Sequence, residues 1–307
     1  LPYTRAPRAL LPNALRLGAV RLAVTDLDRA VDFYTGVVGL TIAGRGHEAA
    51  HQVAHLGTGG ASDAGDEDVV VLQEEPGAHP AGEHARHAGL YHVALNYPTR
   101  LELARALRRI AESRTPIQGA SDHATHEAIY LPDPDGNGLE LAWDRPREQW
   151  PPTLEQLLRD GREPLDFDGL LALAANEPPV PRAAPGLRVG HVHLHLGDVQ
   201  RAIDFYVGLL GLELQVNFGT GVFTSAGSYH HHLGFNTWRG QGVPPAPADV
   251  VGLREWRIYL PTAADVEAAR GRLAAGGAPV TAAGPEAFTT TDPWGIPLRV
   301  GVDPITR

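Results

Sequence analysis

Cysteine is absent from all 307 residues, and that gap excludes disulfides, cysteine-ligated zinc, iron–sulfur clusters and a thiol nucleophile together. Any metal must then be held by nitrogen and oxygen. Nor is there an apolar run of about 18 residues, the least that reads as a transmembrane helix. Basic residues are outnumbered, 26 Lys and Arg against 36 Asp and Glu, and the resulting net charge of −10 argues against a nucleic-acid partner. Leu1 to Arg8 lack the apolar core of a signal peptide and no initiating Met is present. The expectation is a trimmed, cytoplasmic chain with no membrane partner.

What is present is ordinary in bulk and unusual in arrangement. Hydrophobic residues at 43% and charged residues at 20% suit a soluble globular protein, and the length suits two domains. Fifteen histidines permit an imidazole and carboxylate site. An internal repeat is plain: residues 17–40 return as residues 189–212, Asp26 matching Asp198, every pair 172 positions apart. The unit reads as a strand, an Asp cap, an amphipathic helix ending at Phe-Tyr, and Gly-Leu opening the next strand. A second repeat aligns Gly89 to Thr99 with Gly252 to Thr262, each followed by a helix and an Asp-Pro-x-Gly hairpin, Asp133 to Gly136 and Asp292 to Gly295. Four βαβββ-like modules result, at about 17–78, 88–145, 188–240 and 251–305.

The most constrained stretch runs from His123 to Glu140. Its turn, Asp133-Pro134-Asp135-Gly136-Asn137-Gly138, joins a proline that presets φ to two glycines free to take positive φ, which predicts a hairpin. Glu140 is flanked by Leu139 and Leu141 on the returning strand, and a buried carboxylate there needs a partner or a metal; a solvent-facing acid is the plain alternative. Residues from Arg145 to Leu187 belong to neither repeat and are proline-rich at both ends. They read as an interdomain connector that packs on the surface.

Paired modules in this pattern resemble the vicinal oxygen chelate superfamily, which includes glyoxalases, bleomycin resistance proteins and extradiol dioxygenases, over nearly the whole chain. The resemblance implies an α+β fold in which four βαβββ modules form two domains with curved, barrel-like mixed sheets. It divides the chain into residues 1–145, a connector at 146–187, and residues 188–307. The superfamily draws its metal ligands from the first and last strands of a module. The first-strand position is held by Ala19, His92, His191 and Glu255 in the four modules, and the last-strand position by Glu140 in module two and Arg299 in module four. The implied metal set is His92, Glu140 and His191, two imidazoles and a carboxylate of the kind that binds Fe(II), or Mn(II) in its place. His191 can join only if modules two and three share one barrel and modules one and four the other. Gln73, Glu74 or a member of the run His230-His231-His232 are alternatives for the third ligand.

The stretch from His123 onward looks like the signature of extradiol ring-cleavage dioxygenases, with Ser121 in place of the usual small residue. Carried over, His123 and Tyr130 hold the substrate oxygens and His231 is the acid–base residue, with His230 or His232 the alternative because strand alternation puts them on the opposite face. The implied reaction is ring cleavage of a small aromatic diol by O2, as in catechol 2,3-dioxygenases. A glyoxalase-type isomerase or thiol transferase using His232 as a fourth ligand is the first rival, and a non-catalytic protein binding a small aromatic molecule is the second. Plainer roles stand beside each residue: His92 and His191 as core histidines, His193 and His195 as structural, His126 as solvent-facing, Tyr130 as a core aromatic, Phe33-Tyr34 and Phe205-Tyr206 as helix packing. Trp143, Trp238, Phe223 and Phe235 suit a pocket wall or a core equally. A homo-oligomer is compatible with the sequence but not specified by it.

Overall fold

Side-chain caps start the helices where the repeat predicts them. The computed structural model describes residues 9–59, 68–80, 82 and 85–306. Leu1 to Arg8, and residues 60–67 of module one, lie outside the described residues. Module one gives β1 (Arg16–Leu17), β2 (Val20–Val24), α1 (Leu27–Phe33), β3 (Thr41–Glu48), β4 (His51–Gly57) and β5 (Val70–Glu74). Module two gives β6 (Gly89–Asn96), α2 (Arg100–Ser113), β7 (Gly119–Asp122), β8 (His126–Pro132) and β9 (Gly138–Asp144). The connector carries α3 (Leu154–Asp160) and α4 (Phe167–Leu173). Module three gives β10 (Arg188–His195), α5 (Val199–Ile203), β11 (Glu213–Asn217), β12 (Gly221–Ser225) and β13 (Leu233–Asn236). Module four gives β14 (Gly252–Leu260), α6 (Ala263–Ala275), β15 (Val280–Ala282), β16 (Ala287–Thr291) and β17 (Pro297–Val302).

Asp26 and Asp198 accept from the backbone N–H three residues on, at 3.0 and 2.9 Å, and so cap α1 and α5 as the sequence predicts. Both helices widen into a π-type turn, Tyr34–Val38 and Asp204–Leu210. Each turn is closed by a left-handed glycine, Gly39 at φ 91° and Gly211 at φ 100°. A Cβ at Gly211 would stand 2.5 Å from the Ala9 carbonyl oxygen, so both the backbone angle and the space demand glycine there.

The chain divides into two compact units. The first comprises residues 24–77 and 92–190. In it β3, β4 and β5 form an antiparallel meander, while β6 runs parallel to β9 and β9, β8 and β7 continue antiparallel. The connector is more than a surface strap here, because Leu165, Leu170 and Ala174 are buried and α4 lies against α2. The second unit comprises residues 1–23, 78–91 and 191–307. There β10 is parallel to β13, β14 is parallel to β17, and antiparallel strands complete each sheet. Strand β14 also pairs antiparallel with β1 and β2, with Arg21 opposite Glu255, so the first strands of modules one and four share a sheet.

One bond recurs in both units. The Tyr34 hydroxyl donates to Asp133 at 3.2 Å and the Tyr206 hydroxyl to Asp292 at 2.9 Å, each tying a helix end to a hairpin turn. The neighbouring rings meet edge to face, Phe33 on Tyr34 at 5.4 Å and Phe205 on Tyr206 at 5.0 Å, in keeping with helix packing. Among the described residues no helix is long and apolar enough to cross a membrane.

Candidate metal centre

The predicted hairpin forms, and its register decides what faces what. The Asp133 carboxylate accepts from the backbone N–H of Asp135 and of Asn137, both at 2.9 Å, while Gly136 takes φ 85°. That turn sets Tyr130 directly opposite Glu140 across β8 and β9, on one face. Parallel pairing puts Ala94 beside Glu140, so His92, two residues before Ala94, shares that face. His92 Nε2 lies 3.0 Å from Glu140 Oε2, with the His92 and Glu140 side chains 7% and 1% exposed. The His92 and Tyr130 rings are 5.5 Å apart.

His126 overturns the solvent-facing expectation: it is buried, and its Nε2 lies 3.1 Å from Glu140 Oε1. Its Nδ1 meets the Thr125 hydroxyl at 2.8 Å and its ring rests 4.7 Å from that of His123. The loop from His123 to His126 folds back on itself, with Ala124 at φ 62° and the His123 N–H donating to the His126 carbonyl at 2.9 Å. His123 Nε2 meets the Tyr130 hydroxyl at 2.8 Å, and its Nδ1 meets the Gly161 carbonyl at 3.0 Å. A carbonyl oxygen only accepts, so Nδ1 carries a proton; in the neutral ring Nε2 is then the acceptor and Tyr130 the donor.

The second unit places His191, His193 and His195 on one face of β10. The run His230 to His232 sits in the loop between β12 and β13 rather than on a strand, so alternation does not sort it. His231 is buried between Phe223, at 4.5 Å, and His191, at 4.0 Å between ring centroids. His230 Nδ1 meets His231 Nδ1 at 2.9 Å, and ligating nitrogens of His191, His230 and His231 all lie within 4.8 Å of one another. His232 Nδ1 accepts from Ala226 N–H at 3.1 Å and closes the loop. Asn236, wholly buried, links the other two histidines: His195 Nδ1 lies 2.7 Å from its Oδ1, and its Nδ2 3.0 Å from His193 Nε2. His193 lies over Gly234, where a Cβ would come within 3.0 Å of the ring. Tyr91 and Trp238 pack on His193 at 5.1 and 5.7 Å.

The chemistry of modules one and four is different. Glu255 pairs with Arg257 at 2.7 Å, Arg299 donates to the Ala283 carbonyl at 2.8 Å, and Ala19 is a buried apolar residue. Glu74 accepts from Leu27 N–H at 3.0 Å at the start of α1, and Gln73 donates to Glu75 at 2.8 Å, so both alternative ligands of module one have structural partners. Phe235 is core, stacked 5.8 Å from Tyr206, while Trp238 is 58% exposed. Sequence reasoning missed His126, Gly161 and Asn236. His126 lay within the motif but in the x positions, and the other two lie far from it along the chain.

The family model described as Glyoxalase/Bleomycin resistance protein/Dioxygenase superfamily matches residues 16–141 and 188–300. The chain belongs to this superfamily. A catechol-2,3-dioxygenase of Bacillus subtilis (strain 168) is 34% identical over 259 residues, 84% of this chain and 87% of that protein. Among solved structures, a putative dioxygenase from Bacillus subtilis subsp. subtilis str. 168 superposes with a TM-score of 0.64 at 15% identity, covering 96% of this chain and 87% of that one. Glyoxalase I from Zea mays gives a TM-score of 0.57 at 18% identity, covering 94% and 92%. These structural likenesses are of fold, the two-domain repeat of the glyoxalase superfamily.

Proposed function

We propose that the protein is a cytoplasmic, Fe(II)-dependent extradiol dioxygenase that opens the ring of a catechol-type diol with O2. The observation that carries the reading is the buried His92 and Glu140 pair on the sheet face that carries Tyr130, whose hydroxyl meets His123 from the β7–β8 loop. Imidazole nitrogen and carboxylate oxygen are the donors that Fe(II), or Mn(II), accepts. The B. subtilis relative named a catechol-2,3-dioxygenase supports the same activity.

His191 is proposed as the third ligand on the register of the repeat. In the second unit Arg21 stands opposite Glu255. The repeat equates Arg21 with His193 and Glu255 with His92. By the same repeat, His191 is the residue of module three at the first-strand position that Ala19 holds in module one, as His92 and Glu255 hold it in modules two and four.

A divalent iron held by these residues would supply Lewis acidity to the diol oxygens and redox access to O2. The protein's own contribution is position and proton placement. Tyr130, donating to His123, keeps its oxygen lone pairs for a diol hydroxyl, and His123 anchors Tyr130 in that orientation. His126, its Nε2 3.1 Å from Glu140 Oε1, would help orient the carboxylate if His92 and Glu140 hold a metal. His231, buried beside His191, would be the residue that holds and delivers a proton in the reaction. The rival isomerase or transferase chemistry needs a fourth protein ligand, and His232, its candidate, is engaged by Ala226 N–H.

Anaerobic Fe(II) loading followed by oxygen-electrode traces with catechol tests the reading. Oxygen uptake with a yellow ring-opened product, lost in His92→Ala and Glu140→Ala, is the expected result. Metal binding without oxygen uptake on any diol moves the assignment to isomerase or transferase chemistry. Indifference to metal leaves a binding protein.

A further inference from the structure

We propose that the connector is a positioning element of the site: residues 161–163 clamp the tip of the β7–β8 hairpin and fix which nitrogen of His123 faces Tyr130. The proposal rests on the reading of His123 and Tyr130 as the residues that hold the diol. Three observations in the first unit carry it. The Gly161 carbonyl accepts from His123 Nδ1 at 3.0 Å, which commits the ring proton to that nitrogen and turns the Nε2 lone pair to the Tyr130 hydroxyl at 2.8 Å. Beside it the connector makes a two-bond bridge to the hairpin, Asp122 N–H to the Glu163 carbonyl at 2.8 Å and Glu163 N–H to the Asp122 carbonyl at 3.2 Å, and the Ser121 hydroxyl donates to the same Glu163 carbonyl at 3.2 Å. Residue 161 must also be glycine for this approach. A Cβ there would stand 2.6 Å from the Leu157 carbonyl oxygen and 3.0 Å from the His123 carbonyl oxygen, both backbone atoms that cannot swing aside.

Gly161 is not at positive φ; its φ is −85°. Conformational freedom therefore does not explain the glycine, and close packing against His123 does. Alanine at 161 pushes the carbonyl off His123, the ring loses the partner that selects its tautomer, and Tyr130 loses a fixed acceptor. The clamp touches neither His92 nor Glu140 and reaches His126 only through ring packing at 4.7 Å, so its main effect falls on diol orientation, with iron content measured alongside.

The test reads the tautomer directly. In the metal-free protein labelled with 15N-histidine, at a pH where the ring is neutral, His123 is expected as the Nδ1–H form, in Tyr130→Phe as in the unaltered chain, and as a mixture in Gly161→Ala. In the iron-loaded enzyme Gly161→Ala is expected to lower kcat/KM for catechol at least about tenfold, since misplacement by about 1 Å costs on the order of 100-fold. The same change in a His123→Ala background is expected to cost less than about twofold, with iron content equal throughout. An Nε2–H ring in the unaltered chain, a ring that changes tautomer in Tyr130→Phe, or an equal loss in both backgrounds overturns the clamp. Should Gly161→Ala fail to fold, the spectra of the unaltered chain and Tyr130→Phe decide alone. An inactive protein with the Nδ1–H tautomer would refute the dioxygenase and leave the clamp standing.

Discussion

Single side chains around Glu140 divide the work of one carboxylate. Oε2 is turned to His92 and Oε1 to His126, so the two oxygens are not equivalent. Replacing His126 with alanine removes the hold on Oε1, and the expected outcome is metal retention about 10- to 100-fold weaker, as for other groups that orient a ligand. Competition against a chelator measures it, and unchanged affinity would mean that Glu140 is oriented by other contacts. Ala124, held at φ 62°, is the other residue of this loop with a clear expectation. Glycine there relieves a left-handed alanine, although it also enlarges the unfolded ensemble, so the unfolding midpoint should rise or stay level while proline at the same position lowers it sharply. The motif showed Glu140, Tyr130 and His123 because each sits at a fixed spacing. It did not show His126, since a histidine at the start of a strand, just past a turn, is ordinarily solvated, and only the fold-back of the preceding loop buries it.

At the scale of elements, the two Asp-Pro-x-Gly hairpins carry an electrostatic cost. Burial, the largest influence, pushes the Asp133 and Asp292 carboxyls from the ordinary carboxylate range up to about 6, against the pull of the backbone N–H groups they accept from. A carboxyl whose value is raised by folding binds its proton more tightly in the folded state. Its contribution to stability is therefore full below about pH 4 and is lost as the pH climbs through about 6, falling by about 1.4 kcal/mol per pH interval of one between those two values. Asparagine at 292 keeps an oxygen for the Trp294 and Ile296 N–H groups, each 2.8 Å away, and turns its amide to the Tyr206 oxygen. Unfolding midpoints measured from pH 4.5 to 7.5 are expected to fall less steeply for Asp292→Asn than for the unaltered chain. A slope as steep in the variant would show that Asp292 ionises without cost. The hairpins were legible from Pro and Gly, whereas the tyrosine that meets each carboxyl was read only as packing. Which partner a buried hydroxyl finds depends on tertiary placement, not on local spacing.

Across the whole molecule, the fourfold repeat was legible because caps, Phe-Tyr pairs and hairpins recur at constant offsets, and the asymmetry between modules was legible because Ala19 and Arg299 offer no imidazole or carboxylate at the positions held elsewhere by His92, His191 and Glu140. What fills those positions was not. The Glu255–Arg257 pair occupies the face where a ligand set would stand. Glu255→Gln is therefore expected to leave metal stoichiometry at one ion per chain and to shift stability by less than about 1 kcal/mol, as partly exposed pairs do; two ions per chain in the unaltered protein, falling to one in the variant, would contradict this. The connector escaped reading for a different reason: it has no counterpart in the repeat, so nothing in the sequence said what it lies against. The bond between the two ends of the fold has a mechanical meaning. Arg16 grips Asp303 with two hydrogen bonds, at 3.1 and 2.8 Å, and β1 pairs with β14. Force applied between residues 16 and 303 therefore falls on this clasp and on the β1–β14 pairing before it falls on the chain that joins them.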